Sequence, residues 1–338
     1  MQNVKLPKVI FGTSGLGNLY VVQSYTEKRA IVAQCLRHAE LPVVFDSAGK
    51  YGAGLALESL GQCLKDLAAH PSNVLISNKL GWLRTELKTP EPTFEPGVWK
   101  DLKYDAIQKI SYHGILECYN QGNELLNGYD ASLVSVHDPD EYMAGAVNKV
   151  QKEERFQDIL GAYVALNELK SSGKVKGIGI GSKDWRMIER VSLEVPLDWV
   201  MIANSMTVHS HPPELVVFME QLEKKGIDII NSAVFNGGFL IGSDFYNYQA
   251  VSPESHSELY QWRARFFILC AQYQLKPAQV CAQFGLNSPG VTSIALSTTN
   301  PDRVVDNIVM ASVKVPSGFW KDMKEQGLID ENYAYKYL

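Results

Sequence analysis

Three ionisable side chains each stand at the end of an apolar, β-branched run of the sequence. Asp46 ends the first run, Lys79 the second and His137 the third, and Tyr51 follows Asp46 by five residues. A phenol with an ordinary pKa of about 10 is a poor base near neutrality, and a neighbouring ammonium would lower that pKa. We therefore expect Lys79 to activate Tyr51, with Asp46 as the counter-ion of Lys79. With His137 as a hydrogen-bond donor to a substrate oxygen, the set suits proton transfer coupled to hydride transfer.

These side chains converge only if the runs that carry them are neighbouring parallel strands. Short apolar runs alternate with amphipathic helical patterns along almost the whole chain, which gives eight strand–helix units. Runs that are apolar throughout are typical of parallel strands covered on both faces. The sequence therefore predicts one α/β domain over residues 1–338, a (β/α)8 TIM barrel with long βα loops at its C-terminal face. The predicted strands are 8–11, 42–46, 74–77, 132–136, 174–180, 199–203, 227–230 and 291–296, and the predicted helices lie near 54–70, 104–121, 156–171, 184–191, 213–225, 255–274 and 301–312.

A doubly wound sheet is the alternative to the barrel. It would carry a G-x-G-x-x-G turn after its first strand, and the glycine clusters within 12–17 and 177–181 both have the wrong spacing. The glycines of 177–181 are instead expected to allow close packing between strands. Three long stretches, 81–103, 137–155 and 235–254, are candidate walls of a substrate site.

Composition limits the classes of protein to which the chain can belong. Of the 338 residues, 46% are apolar and 20% charged, which supports a large core and argues against disorder. The formal charge of −5 without a basic run predicts no nucleic-acid partner, and no apolar stretch reaches the roughly 20 residues that span a bilayer. Five scattered cysteines and a start without signal-peptide features predict a reduced, cytoplasmic environment. The expected partner is a small-molecule substrate, and the oligomeric state is open.

The motifs around the four candidate residues resemble those of the aldo-keto reductase superfamily, and the resemblance covers nearly the whole chain. Phe45-Asp46-Ser47-Ala48-x-x-Tyr51-Gly52 is similar to the family signature, and Asn78-Lys79 and Val136-His137 to its lysine and histidine positions. The segments 174–180 and 297–307 are similar to the family's fifth strand and to its adenosine-phosphate element. The resemblance implies a TIM barrel in which Asp46, Tyr51, Lys79 and His137 are catalytic, with Tyr51 as the acid/base.

The resemblance also implies NAD or NADP as the cofactor. Ser297 stands where NADP-preferring members carry a lysine, and the loss of one cation near a 2′-phosphate favours NAD. Asn231 stands where an aromatic ring usually stacks on the nicotinamide, so Phe235 is the other candidate for that contact. The cofactor-binding residues implied in this way are Thr13, Ser182, Asn204, Ser205, Asn231, Ser232, Val234, Phe235, Asn236, Gly237, Ser297, Thr298, Arg303 and Asn307.

Within the superfamily, the chain resembles the sugar-oxidising branch of L-fucose, D-threo-aldose and L-galactose dehydrogenases. The segments 235–240 and 137–140, together with Leu80-Gly81-Trp82, carry this likeness. It implies oxidation of an aldose at C1 to a lactone, with Tyr51 taking the proton of the anomeric hydroxyl. The residues expected at the substrate mouth are Tyr20, Trp82, His113 and Asp138.

Other functions stay open at this point. The chain can be a reductase or dehydrogenase of another small aldehyde or alcohol, such as pyridoxal, or a non-catalytic, nucleotide-binding regulatory barrel. A lyase that forms a Schiff base on Lys79 is a further alternative. His137-Asp138 and His209-Ser210-His211 lack a third ligand at a recognisable spacing, so no metal site is predicted.

Overall fold

Strands and helices alternate through residues 5–333, the part of the chain that the computed structural model describes. The strands are β1 (Val9–Gly12), β2 (Val43–Ala48), β3 (Val74–Leu80), β4 (Trp82–Glu86), β5 (Tyr104–Gln108), β6 (Ala131–His137), β7 (Gly177–Ser182), β8 (Trp199–Ala203), β9 (Asp228–Ser232), β10 (Phe245–Tyr246), β11 (Gln249–Ala250) and β12 (Val291–Leu296). The helices are α1 (Tyr25–His38), α2 (Leu55–Asp66), α3 (Tyr112–Leu125), α4 (Pro139–Ala144), α5 (Lys149–Ser171), α6 (Trp185–Glu194), α7 (Pro213–Lys224), α8 (Ser257–Gln272), α9 (Pro277–Leu286), α10 (Arg303–Met310) and α11 (Ser317–Glu325).

Eight of these strands close into a barrel. Their order around it is β1, β2, β3, β6, β7, β8, β9 and β12, and β12 pairs with β1 again. Every neighbouring pair is parallel. The prediction of a (β/α)8 barrel is therefore confirmed, whereas residues 1–4 and 334–338 of the predicted domain lie outside the described part of the chain.

Two layers of apolar packing hold the barrel and its helices together. An inner cluster packs between the strands, and its members are Ile10, Val44, Leu75, Leu133, Trp199, Met201 and Ile230. Gly179 on β7 admits the large indole of Trp199, because a Cβ atom at this glycine would lie 2.3 Å from that ring. Between the strands and the helices, the predicted apolar face of α2 is buried, including Leu57, Leu60 and Leu64. The expected role of the 177–181 glycines in close strand packing is thus confirmed at Gly179.

Several predicted element boundaries are wrong; the helix predicted near 156–171, for example, begins at Lys149. Residues 104–108 do not begin a helix: they form β5, which pairs antiparallel with β4. The helix α3 begins at Tyr112, where the Ser111 hydroxyl accepts a hydrogen bond from the Gly114 backbone at 3.1 Å. Likewise, the strand predicted over 174–180 runs from Gly177 to Ser182. Residues 104–108 form a strand because they pair with β4 across a long intervening loop. A local sequence pattern cannot indicate a pairing between segments that lie so far apart.

The long loops at the carboxyl ends of the strands carry structure of their own. The stretch 81–103 opens with β4 and contributes Phe94 and Trp99 to a small apolar cluster with Ala53 and Ala106. The stretch 235–254 contains the two-stranded ribbon β10–β11. These loops therefore build walls above one end of the barrel.

None of the helices in residues 5–333 combines the length and hydrophobicity needed to cross a bilayer.

Candidate active site

Three neighbouring strands bring the four candidate catalytic residues to the carboxyl end of the barrel. Asp46 lies on β2, Lys79 on the adjacent β3, and His137 is the last residue of β6, which pairs with β3. Tyr51 stands in the turn after β2, where its N–H donates to the Ala48 carbonyl at 3.1 Å. Because parallel strands share one direction, side chains that are far apart in sequence meet at one rim.

Asp46 and Lys79 form a buried ion pair. The Lys79 ammonium hydrogen-bonds Asp46 Oδ2, and the Ser77 hydroxyl donates to Asp46 Oδ1 at 3.2 Å. The two charged residues are 3% and 2% exposed. A buried ammonium without a counter-ion would be costly, so Asp46 is what allows Lys79 to keep its charge at this depth.

The surroundings of Tyr51 raise its pKa, contrary to the sequence-based expectation. Burial is the main cause, and the negative charge of Asp46 adds to it, so the pKa of Tyr51 lies well above its ordinary value. The Lys79 ammonium lies 4.8 Å from the centre of the Tyr51 ring, but its charge is balanced by Asp46. The prediction that Lys79 lowers this pKa was therefore wrong, and at neutral pH the phenol carries its proton.

His137 is held in its neutral form. Burial, followed by the charge of Lys79, lowers the pKa of His137 well below its ordinary value. Its Nδ1 atom is sealed from solvent and finds no hydrogen-bond partner in the described residues. A buried N–H without an acceptor costs more free energy than a buried lone pair. The proton of the neutral ring is therefore assigned to Nε2. That nitrogen is 3.6 Å from Asp138 Oδ2 and is left available as a donor toward the cavity.

Two adjoining cavities open above these residues. The first, of about 670 Å³, is lined by Asp46, Tyr51, Lys79 and His137. The second, of about 510 Å³, extends to α9 and α10. They form one cleft, because both are lined by Ser14, Leu19, Tyr20, Phe235 and Ser297.

The cleft fits a nicotinamide dinucleotide in shape and in chemistry. Its deep end carries the four candidate catalytic residues, and its far end carries Lys276 and Arg303, cations suited to phosphate. Nine of the expected cofactor-binding residues line the two cavities: Ser182, Ser232, Val234, Phe235, Gly237, Ser297, Thr298, Arg303 and Asn307. The nicotinamide would therefore lie near Tyr51 and the adenosine portion near α10.

Five residues expected to touch the cofactor lie behind the cavity walls: Thr13, Asn204, Ser205, Asn231 and Asn236. Asn231 is fully buried, and its amide nitrogen donates to the carbonyls of Met206 and Gly285 at 2.8 and 3.2 Å. The expectation that it faces the nicotinamide is therefore not met, whereas Phe235 does line the cleft. The side chains of Thr13 and Ser205 are likewise used on backbone carbonyls.

Two of the four expected substrate residues are also placed elsewhere. Tyr20 and Asp138 line the first cavity. His113 is exposed on α3, where its ring packs edge-on against Tyr112 at 5.0 Å between centroids. The Trp82 ring lies 5.3 Å beyond the Lys50 ammonium, so Lys50 stands between this indole and the cavity.

Sequence reasoning missed a group of charged residues that line the first cavity beside Asp138. The Lys50 ammonium contacts Glu141 at 2.6 Å and Glu95 at 2.9 Å, and lies 3.6 Å from Asp138. Lys183 contacts Glu141 at 2.6 Å and lies 3.7 Å from the same Asp138 oxygen. Lys50 occupies a position that the signature motif leaves unspecified. Its positive charge inside the motif was therefore the only feature of the sequence that could have indicated a role at the site.

An aromatic side chain from the 81–103 loop completes this wall. The Trp99 indole N–H donates to Glu95 at 2.7 Å, and its ring lies 5.7 Å from that of Tyr51. Tyr248, from the turn between β10 and β11, lines the same cavity. Burial raises the pKa of Asp138 to about 6, and the two lysines oppose that effect. The substrate end of the cleft is therefore charged, polar and walled by aromatic rings.

Comparison with known proteins agrees with this geometry. Residues 8–327 match the aldo/keto reductase family. The chain is 26% identical over 337 residues to pyridoxal 4-dehydrogenase of Microbacterium luteolum, a match that covers 94% of this chain and 93% of that protein. It is 25% identical over 340 residues to D-threo-aldose 1-dehydrogenase of a Pseudomonas species, covering 96% and 95%. Its fold is similar to that of an aldo-keto reductase from Bacillus halodurans in its holo form, with a TM-score of 0.69, 16% identity, and coverage of 97% and 96%.

Proposed function

The chain belongs to the aldo/keto reductase family and is an NAD(P)-dependent oxidoreductase, and we propose that it oxidises a cyclic hemiacetal to a lactone. The expected substrates are aldoses that react at C1. The observation that carries the proposal is the position of Tyr51: it lines the cavity beside His137, and the two rings meet edge-on with 5.6 Å between their centroids. A phenol next to a neutral imidazole donor is the arrangement that moves a proton at a substrate oxygen.

The class of substrate follows from what two relatives have in common. Their names specify pyridoxal and a D-threo-aldose as substrates. Each of these compounds carries an aldehyde and a hydroxyl that close into a cyclic hemiacetal. Loss of the hydroxyl proton and of the hydride on the same carbon turns either hemiacetal into a lactone. One reaction class therefore covers both relatives.

The proposed roles of the four residues follow from their contacts. The hemiacetal hydroxyl gives its proton to the Tyr51 oxygen, while His137 Nε2 donates a hydrogen bond to the same substrate oxygen. Lys79, neutralised by Asp46, fixes the position of the Tyr51 ring through their 4.8 Å contact. Bound NAD(P)⁺ would supply the acceptor for the hydride that leaves the same carbon.

The raised pKa of Tyr51 gives the two directions of reaction different pH dependences. Reduction of a carbonyl needs the protonated phenol, which is present throughout the neutral range. Oxidation needs the phenolate. As long as the pH is below the pKa of Tyr51, the phenolate fraction grows tenfold for each unit by which the pH rises. Oxidation by this enzyme should therefore accelerate as the pH rises above neutrality.

For the cofactor, the proposal is that NAD serves at least as well as NADP. Ser297 and Thr298 bring no positive charge to the second cavity, and Asp306 brings a carboxylate that would repel a 2′-phosphate. Lys276 and Arg303 remain as cationic partners for that phosphate. Arg303→Ala should weaken NADP binding more than NAD binding if it reads the 2′-phosphate, and a wild-type preference for NADP above tenfold would refute the proposal.

The first experiment is a substrate panel followed by absorbance of the reduced nicotinamide. Purified protein is supplied with NAD or NADP and with L-fucose, D-arabinose, L-galactose or pyridoxal. Turnover of an aldose supports the proposal. Turnover of pyridoxal alone would support oxidation of a hemiacetal but would show that the substrate is not an aldose. Nucleotide binding without turnover of any alcohol or carbonyl would instead indicate a regulatory barrel.

A further inference from the structure

Asp138 is the one cavity-lining carboxylate that residues 5–333 leave without a hydrogen bond, Asp46 and Glu95 being partnered. Only 9% of its side chain is exposed. Its nearest partners are nitrogen atoms at 3.6–3.7 Å, on His137, Lys50 and Lys183. A buried carboxylate that no protein group satisfies is costly, so this oxygen is arranged for something that enters the cavity.

The lysines beside Asp138 are occupied elsewhere. Glu141 takes a donor from Lys50 at 2.6 Å and another from Lys183 at 2.6 Å, and Glu95 takes a second donor from Lys50 at 2.9 Å. An ammonium has three donors, so each lysine keeps at least one for the cavity. Together, the subsite offers one strong acceptor flanked by two donors.

That combination matches a neutral hydroxyl group. A hydroxyl donates one hydrogen bond and accepts others, so it can donate to Asp138 while it accepts from Lys50 or Lys183. An anionic oxygen would meet the carboxylate as a like charge, and an apolar group would leave it unsatisfied. The subsite is therefore selective for O–H.

The distance from His137 sets which hydroxyl it takes. A reacting oxygen bound by His137 Nε2 lies about 2.9 Å from that nitrogen, and Asp138 Oδ2 is 3.6 Å from the same nitrogen. An oxygen on the carbon next to the reacting carbon is then within reach of Asp138. The spacing of His137 and Asp138 is therefore compatible with a pair of vicinal oxygens.

We propose that Asp138, with Lys50 and Lys183, binds the hydroxyl on the carbon adjacent to the reacting carbon and makes the enzyme selective for 2-hydroxy hemiacetals. This inference rests on the proposed function and narrows its substrate class to aldoses that carry a free 2-hydroxyl. Asp138 is a specificity-determining residue in this assignment, and Tyr51 and His137 keep their roles at the reacting oxygen.

The test compares the best aldose among L-fucose, D-arabinose and L-galactose with its 2-deoxy counterpart. In the wild type, kcat/KM should be about 10- to 100-fold higher for the aldose, the range for a hydrogen bond to a charged group. Asp138→Asn should cut this ratio at least about fivefold, mainly through the aldose. Asparagine tolerates the left-handed backbone of this residue, whose φ is 44°, so the variant should fold.

A second variant and a matched control complete the design. Asp138→Ala removes the acceptor altogether, so aldose and 2-deoxy aldose should be used within about threefold of each other. Asp158→Asn alters a half-buried carboxylate of α5 that accepts from Tyr142 and does not line the cavity, and it should keep the wild-type ratio. Both Asp138 variants should lose more kcat/KM with the aldose than with the 2-deoxy sugar, whereas a merely structural role would lower both values alike.

The possible failures are distinguishable. Equal use of aldose and 2-deoxy aldose by the wild type would overturn the subsite and leave the proposed function standing. A wild-type ratio that persists in Asp138→Asn and Asp138→Ala would also overturn it, because the 2-hydroxyl would then be read elsewhere. Absence of turnover with every aldose and with pyridoxal would remove the proposed function and this inference together.

Discussion

Replacing Tyr51 with phenylalanine removes one oxygen atom and leaves every ring contact in place. The ring lies 5.7 Å from Trp99 and 5.6 Å from His137, and the Lys79 ammonium lies 4.8 Å from its centre. Tyr51 lines the first cavity, and the substitution leaves its ring in the packed position. The free energy of unfolding should therefore change by less than about 1 kcal/mol.

The effect on catalysis should be far larger than the effect on folding. Proton transfer by a positioned side chain contributes about 10²- to 10⁴-fold to a rate, which corresponds to about 3–5 kcal/mol in the activation free energy. Because the phenylalanine ring fills the same space as the tyrosine ring, the Kd of the dinucleotide should stay within about twofold. Almost all of the loss should appear in kcat.

The assay is steady-state oxidation of the best hemiacetal, followed across the pH range from neutral to alkaline. In the wild type, kcat should rise with pH until Tyr51 ionises, because its pKa is raised and the phenolate is the base. In Tyr51→Phe that rise should disappear. Tyr248→Phe, which removes the hydroxyl of another cavity-lining tyrosine, should cost less than about tenfold.

Two results would refute this reasoning. A loss of less than tenfold in Tyr51→Phe would show that another group moves the proton. An unchanged rise of kcat with pH in the variant would assign the titration to a different residue, and Asp138 and Tyr248 line the same cavity.

Three further outcomes follow from the packing and charges described above. Asp46→Ala should lower the free energy of unfolding by about 3–5 kcal/mol, because it leaves the buried Lys79 ammonium unpaired. Denaturant unfolding measures that loss, and Asp46→Ala combined with Lys79→Met should recover part of it. Gly179→Ala should cost about 1–3 kcal/mol or abolish folding, since its Cβ meets the Trp199 ring at 2.3 Å; thermal unfolding that matches wild type would contradict this. Burial lowers the pKa of His209 to about 4, so the stability it contributes is present above pH 6.5 and is lost as the pH falls from there towards 4. His209→Gln should flatten the stability curve over that interval.

The barrel and the meeting of the four candidate residues could be predicted because both depend on local patterns. Each apolar run defines a strand, and parallel strands place their carboxyl ends together whatever the chain does between them. Asp46, Lys79 and His137 therefore needed no knowledge of the loops. Tyr51 followed from a short motif that begins on the same strand as Asp46.

The pKa of Tyr51 could not be predicted in the same way, because it is set by a balance of effects. The sequence indicates that Lys79 lies near, which alone would lower the pKa. The structure shows that Asp46 cancels that charge and that burial then decides the sign. Proximity to a cation predicts a lowered pKa only when the cation has no closer partner.

The substrate wall lay beyond sequence reasoning for a different reason. Lys50, Glu95 and Lys183 come from three separate loops, and each alone is typical of a solvated surface residue. Their meeting beside Asp138 depends in part on how the 81–103 stretch folds back as β4 and a small apolar cluster, which no local sequence pattern indicates. The same fact explains why aldo/keto reductases can share a barrel and a proton-transfer site yet differ in substrate. Asp138, Lys50 and Lys183 stand just beyond the ends of barrel strands, on segments whose side chains the strand pairing does not specify.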